Sequence, residues 1–367
     1  MKILFIGQFA PPVHGVTQMN EYALKAFQPN NIVKTVNLSF SSDIRSIKKF
    51  DFGKLKKTIH ALFSTLKSLK LFSPDLIYYT LCPTGIAFFR DVAFVFILKL
   101  FKSKIVFHLH GQGIKEKSKQ SLIYRLAYRF VFKNAYAIHL SETFIDEISG
   151  YIKGDRIFIL NNCVLLEDEK KYTNPDKDDE TSFLFLSNLM IKKGFAIYLH
   201  ALSILHSKGY KFKATLAGNF PDIESRNSYD NWEKANQALI KSGNFSYSPG
   251  VYKEEKFRLL SKHDIFVFPS MIDTYPVVLI EAQAMSMACI STKVGAIQEM
   301  LDHEQCGISV NPGSIDELAD AMIYMIENRN HMKLMQSSSK DHFQSTYTYA
   351  TFSKNINKII DQIGGAS

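Results

Sequence analysis

The 367-residue chain holds only four cysteines, Cys82, Cys163, Cys289 and Cys306, and no two of them stand at the short spacing of a metal knuckle or redox motif. This argues against a disulfide framework, and the thiols are expected to be reduced and buried in a cytoplasmic protein. Long apolar runs are lacking too. The opening "MKILFIGQF" has five apolar residues in a row, too few for a signal-peptide core, and reads as a buried first strand. The most apolar later stretch, "GIAFFRDVAFVFILKLFK" from Gly85, is broken by Arg90, Asp91 and Lys99, far short of the roughly 20 residues a bilayer span needs. It is expected to be a core helix. No cluster of metal-ligand type appears, so no metal or other cofactor is expected. Neither "GQFAPPVHGV" nor "LSNLMIKKGF" carries the three-glycine fingerprint of a dinucleotide oxidoreductase. Acid is the scarcer charge, and the formal net charge of +9 points to an anionic partner: nucleic acid, a phospholipid surface or a phosphorylated substrate.

What is present is a repeated alternation. Short apolar runs, "KILFIG", "DLIYYT", "KIVFHLH" and "AYAIHL", then "SFLFLSN", "KATLAG", "DIFVFPS" and "ACISTK", are separated by helical patterns. Near-continuous apolar strands of this kind are buried on both faces, which predicts parallel sheets covered by helices. The polar stretch 166–182 has no apolar periodicity and reads as a linker. Two Rossmann-like α/β domains follow, 1–165 and 183–345, with residues 346–367 forming a last helix whose stripe of Phe352, Ile356, Ile359, Ile360 and Ile363 could pack against either. Ser314 and Glu317 predict a capping box for the helix before it.

The segment "PSMIDTYPVVLIEAQAMS", residues 269–286, poses a chemical question. Thr274 as N-cap and Pro276 in the first turn predict a helix over 275–287, opening at the C-terminal edge of the strand "DIFVFPS". Its amides and positive dipole end suit an anion or sugar hydroxyls. Asp273 stands at the helix mouth and Glu281 two turns in, and a carboxylate in an apolar helix is costly to desolvate without a partner. Either the pair meets a ligand, or Asp273 serves the dipole and Glu281 is a solvated or paired helix residue.

The spacing acid, seven residues, Glu, followed by "AQAMSMACISTKVGAIQEML", resembles the signature of glycosyltransferase family four, and "PPVHG", "HLHGQG", "NNCV", "SNLMIKKGF", "LAGN" and "GISVNPGSIDELADAM" fall in the family's order. The resemblance covers nearly the whole chain. It implies the GT-B fold, in which two Rossmann-like domains with parallel sheets face a deep interdomain cleft. It also implies retaining, metal-independent transfer of a sugar from a nucleoside-diphosphate sugar, UDP favoured over GDP. Carried over by residue, Glu281 resembles the ribose-binding glutamate, and Asp273 takes the place of a glutamate facing the donor sugar. Thr274, Tyr275 and Val277 stand in a turn whose amides contact sugar and diphosphate, where Pro276 removes one amide. Lys193 resembles a diphosphate-binding lysine, and Asn188 stands where the family usually has arginine, offering a hydrogen bond without charge. Gly15 resembles the phosphate-loop glycine, and His110 the histidine near the reacting centre. His108 shares its strand face.

The expected acceptor is a glycan or lipid-linked glycan of bacterial surface polysaccharide, such as lipopolysaccharide or capsule, and no nucleic acid is expected. Between Arg45 and Lys70 stand eight basic residues against Asp51, with Leu55, Ile59, Leu62, Phe63, Leu66 and Leu69 at helical spacing. The segment 45–70 reads either as a basic amphipathic helix lying on anionic lipid or as an ordinary helix with a solvated face. The first gives a cytoplasmic protein held peripherally at the inner face of the plasma membrane. A sugar-nucleotide epimerase on the same fold and a non-catalytic sugar-binding relative are the alternatives.

Overall fold

The structure, a computed structural model, describes residues 1–11, 14–39, 52–166, 172, 180–302 and 305–365. The apolar runs become the inner strands of two six-stranded sheets, each all-parallel, in two compact units: residues 1–162 with 349–367, and residues 163–348. Of the expected linker, only residues 166, 172 and 180–182 lie within the described residues.

The first sheet has strands β1 (Lys2–Gly7), β2 (Ile32–Asn37), β3 (Leu76–Leu81), β4 (Lys104–Leu109), β5 (Tyr136–His139) and β6 (Ile157–Ile159), in the order β2-β1-β3-β4-β5-β6. Ile3 pairs with Leu76, and Leu76 in turn with Lys104. Every residue of β3, "LIYYTL", is buried, as expected of a central parallel strand covered on both faces. Its helices include α1 (Gly15–Phe27), α2 (Phe52–Phe72), α3 (Gly85–Leu98), α4 (Ile114–Gln120) and α5 (Leu122–Phe132). The last helix, Tyr349–Gly365, buries the expected stripe and packs on α1, where Asn357 Nδ2 donates to the carbonyl of Ala26 at 3.1 Å. Lys104 Nζ donates to the carbonyls of Ile363 and Gly364 and so holds its end, where a cation suits the dipole.

The basic segment 45–70 falls partly on α2, and residues 45–51 lie outside the described residues. Leu69 is buried and Leu62 packs against the core, whereas Ile59 and Phe63 are exposed.

The second sheet has strands β7 (Ser182–Leu186), β8 (Lys213–Ala217), β9 (Phe245–Ser248), β10 (Ile265–Phe268), β11 (Ala288–Thr292) and β12 (Gly307–Val310), in the order β12-β11-β10-β7-β8-β9. Counted within the unit this is the Rossmann order 3-2-1-4-5-6, whose reversal falls between β7 and β10. In such sheets the chain leaves these two strands toward opposite faces, opening a crevice at their carboxyl ends. The helix Ile315–Glu327 begins at Ser314, whose Oγ accepts from the Glu317 N–H. The expected capping box is only half made. Glu317 instead accepts from the backbone and side-chain amides of Asn311, both at 2.8 Å, because Asn311 offers two donors at once.

Candidate functional site

Lys193 and Asp273 stand on the two loops that flank the strand reversal of the second sheet. Lys193 follows β7, just before the helix Phe195–Ser207, and Asp273 follows β10, ahead of the helix Val277–Ala284. The loops are locked together. Met271 N–H donates to the Lys192 carbonyl at 2.9 Å, and Gly194, at φ +86°, lies so close to Pro269 that a Cβ there would sit 2.0 Å from its carbonyl oxygen. Only glycine fits that position. The result is an ion pair in which Lys193 Nζ donates to Asp273 Oδ2 at 2.6 Å, while Oδ1 accepts from the Thr274 N–H at 3.0 Å. From below, the Ala296 N–H donates to the Thr274 carbonyl at 3.0 Å. Gly295, at φ +57°, packs against the Asp273 and Thr274 carbonyls where a side chain would collide.

The helix after this loop starts later than the sequence implies. Pro276, not Thr274, is its N-cap, in extended conformation at ψ 115°, and Val277 is its first residue. The proline ring disfavours helical geometry at Tyr275, so the expected start at 275 is corrected to 277. The helix also stops at Ala284 rather than 287, since Ser286 takes the left-handed φ of +55°. Thr274 is half-buried in the loop. The Tyr275 ring is buried, its hydroxyl donating to that of Tyr347 at 3.1 Å, so only its backbone is placed to face a ligand.

Glu281 is the fifth helical residue and only 3% exposed. Its partner is Lys256, whose Nζ donates to Oε1 from the helix Lys253–Ser261. Both carboxylates singled out by sequence therefore meet a lysine within their own unit, which offsets the desolvation that a lone carboxylate would suffer. Asn188 is exposed just after β7, and its carbonyl accepts from the Met190 N–H at 2.8 Å.

Gly15 and His110 belong to the other unit. Gly15 is the exposed first residue of α1, capped by His14, whose N–H donates to Thr17 Oγ1 at 2.9 Å. Of the adjoining "PPVHG" stretch, Pro12 and Val13 lie outside the described residues. His110 follows β4 directly, its ring 4.0 Å from that of His108, which bonds through Nδ1 to the buried Tyr78 hydroxyl. His139, at the end of β5, accepts the Leu140 N–H at Nδ1, which puts the proton of its neutral ring on Nε2. Burial, reinforced by the neighbouring His139 and His14, pushes His110 down to about 3. Burial likewise lowers His139 to about 4, and lowers His108 and His14. These imidazoles are neutral at pH 7. The Nε2 atoms of His108, His110 and His139 are buried with no hydrogen-bond partner among the described residues. Buried polar atoms are normally satisfied, so these are the places where a hydroxyl or water would be taken up. Among the described residues no group of three or more His, Cys, Asp or Glu side chains is arranged to hold a metal ion.

The structure thus brings Lys193, Asp273 and Thr274 together and puts Glu281 on the helix that follows. Sequence reasoning missed Lys256, His14 and His139. Lys256 carries no local signal in "YKEEKF"; only the need of a buried Glu281 for a cation points to it.

Residues 167–342 match the model of a family described as glycosyl transferases group 1. The chain is 23% identical over 193 residues to an uncharacterized glycosyltransferase of Methanocaldococcus jannaschii, covering 52% of this chain and 47% of that one. It is 22% identical over 242 residues to the N,N'-diacetylbacillosaminyl-diphospho-undecaprenol alpha-1,3-N-acetylgalactosaminyltransferase of Campylobacter jejuni, covering 64% and 62%. The chain spans about half the length of the first curated relatives it matches, or less. Among solved structures it is similar to the Anabaena protein HepE in complex with UDP-glucose, with a TM-score of 0.73 at 18% identity over 99% of this chain and 100% of that one. The two α/β units have the GT-B fold.

Proposed function

We propose that the chain is a retaining, metal-independent glycosyltransferase that moves a sugar from a nucleoside-diphosphate sugar, UDP favoured over GDP, to a hydroxyl of a lipid-linked saccharide or other glycan in bacterial surface polysaccharide synthesis. The observation that carries this reading is the Lys193–Asp273 pair across the strand reversal of the second sheet, with Glu281 buried on the next helix. It is supported by the match of residues 167–342 to a glycosyl transferase family, by a relative named for transfer to a diphospho-undecaprenol-linked sugar, and by a structural neighbour bound to UDP-glucose.

In this reading the ribose hydroxyls donate to Glu281, and the diphosphate takes Lys193, the Val277 end of the helix and Asn188. Asp273 accepts from a hydroxyl of the transferred sugar. The Thr274 and Tyr275 backbone completes the turn around it, and Gly15 keeps the part of a phosphate-loop glycine that its likeness to the family gives it. As the bond from the anomeric carbon to the diphosphate breaks, negative charge grows on the leaving oxygen. The Lys193 ammonium, fixed beforehand by Asp273, stabilises that charge without a metal. The acceptor hydroxyl attacks from the same face and passes its proton to the departing phosphate, which gives retention. His110, neutral and with an unpartnered Nε2, bonds a hydroxyl of sugar or acceptor. The lipid-linked acceptor puts the protein at the inner face of the plasma membrane.

The test is incubation with a panel of UDP- and GDP-sugars and polyprenyl-diphosphate-linked saccharides, with chelator present, and NMR assignment of the new linkage. A glycolipid keeping the donor's anomeric configuration is expected. An inverted product, or interconversion of sugar nucleotides with no acceptor modified, would overturn the reading.

A further inference from the structure

The stretch from Gly85, expected as a core helix, is only half core. One side of α3 buries Phe88, Phe94, Val95 and Leu98. The two charges inside the helix are drawn together: Asp91 is fully buried, accepting from Arg90, the Tyr79 hydroxyl and the Cys82 N–H. On the other side Ile86, Phe89, Ala93 and Phe96, with Leu100 just past the helix end, repeat at spacings of three and four, and all five are exposed. The four large ones are between 40% and 77% accessible. A helix apolar all round is normally buried all round.

The stripe does not stand alone. Phe89 meets Tyr124 of α5 at 4.8 Å between ring centres, Phe96 meets Phe130 at 6.4 Å, and the Tyr124 hydroxyl accepts from the Gly85 N–H. The two helices thus lie side by side with their first turns together. On α5, Leu122, Ile123 and Leu126 are 53% to 68% exposed. Apolar side chains on adjoining helices thus form a continuous face of a kind that monomeric soluble proteins seldom leave bare.

Its rim identifies the occupant. Residues 85–133 carry ten Lys or Arg against only Asp91 and Glu116, and Asp91 is spent on Arg90. Arg125 and Arg129 are exposed among the α5 leucines, with Lys102 and Lys133 beyond. A second copy of the chain would bring like charge against like charge, which opposes association. An anionic bilayer satisfies both features, since the apolar residues enter the acyl boundary while the basic rim meets the headgroups.

We propose that the exposed face of α3 and α5, rather than the basic face of α2, is the surface by which the protein docks on anionic membranes. This deepens the lipid-linked acceptor reading and rests on it for purpose, while donor chemistry plays no part in it.

The test is flotation with vesicles of phosphatidylcholine alone or mixed with phosphatidylglycerol, at low salt and at ~0.5 M salt. Three proteins are compared: the wild type, a triple variant Ile86→Ser, Phe96→Ser, Ile123→Ser, and an α2 variant Lys56→Ser, Lys57→Ser, Lys67→Ser. All substituted residues are exposed, and thermal melts with transfer to a water-soluble acceptor confirm the fold apart from lipid binding. The wild type is expected to float with the anionic vesicles, weakened but not released by salt. The triple variant should lose at least tenfold in binding, and the α2 variant should lose less than threefold. Equal flotation of the triple variant, dependence on the α2 lysines alone, or an apolar face whose loss only converts a dimer to a monomer would each overturn the proposal.

Discussion

Lys193 Nζ lies 2.6 Å from Asp273 Oδ2 and joins the loop after the first strand of the second sheet to the loop after the fourth. The pair keeps a cation and an anion where the strand order of the second sheet reverses, and each neutralises part of the other's field.

That mutual neutralisation gives the first prediction. Asp273→Asn removes the internal rival for the ammonium, so bare UDP should bind several-fold more tightly, by about 0.5–1 kcal/mol for a partly exposed pair. Transfer should fall by on the order of a hundredfold, because Lys193 loses the ion pair that fixes it against the leaving oxygen and the sugar hydroxyl loses its charged acceptor. Calorimetry and single-turnover transfer measure the two effects. Abolished UDP binding with full transfer at saturating donor would contradict the assignment.

A second prediction concerns the asymmetry of the Lys256–Glu281 pair, in which the carboxylate is 3% and the lysine 20% exposed. Lys256→Met leaves the buried Glu281 carboxylate with no cation beside it, a loss of about 3–5 kcal/mol. Glu281→Gln should cost less, because the lysine can swing its ammonium toward water. Urea unfolding of the two variants reads the order directly, and equal losses would show that the carboxylate is not the strained partner.

Acid should weaken the fold through the buried histidines. His110 is held to about 3 and His139 to about 4, whereas both protonate near 6.5 once unfolded. Between these values the unfolded chain binds more protons, so stability is full above about pH 6.5 and falls as pH drops, by about 1.4 kcal/mol per unit for each ring. Midpoints of urea unfolding from pH 8 to 5 should decline, and His139→Gln should flatten the decline. A variant with an unchanged slope would sever the acid loss from this ring.

The interior strands were legible in sequence, and the edges were not. The eight apolar runs are β1, β3, β4 and β5 in the first sheet and β7, β8, β10 and β11 in the second, whereas β2, β6, β9 and β12, which carry no such run, are the four outermost strands. A central parallel strand must be apolar on both faces; an edge such as "IVKTVN" has one residue in six buried and loses that signature. At the site, Asp273 and Glu281 stand out because their spacing along one loop and helix is local information, and Lys193 because its own motif directly follows the apolar strand β7. Lys256 and the histidines around His110 come together only through the packing of separate strands and helices, which spacing does not encode. Pro276 misled because a proline is expected in the first helical turn, whereas here it stands in extended conformation just ahead of it.

The most direct test of the central claim is calorimetric titration of UDP into the wild type, Glu281→Gln, Lys193→Met and His110→Ala. If the second unit holds the nucleotide through the ribose at Glu281 and the diphosphate at Lys193, the first two variants should each lose about tenfold or more in affinity, as for hydrogen bonds to charged groups, while His110→Ala binds as the wild type does. UDP affinity unchanged in both Glu281→Gln and Lys193→Met, or lost in His110→Ala alone, would contradict it.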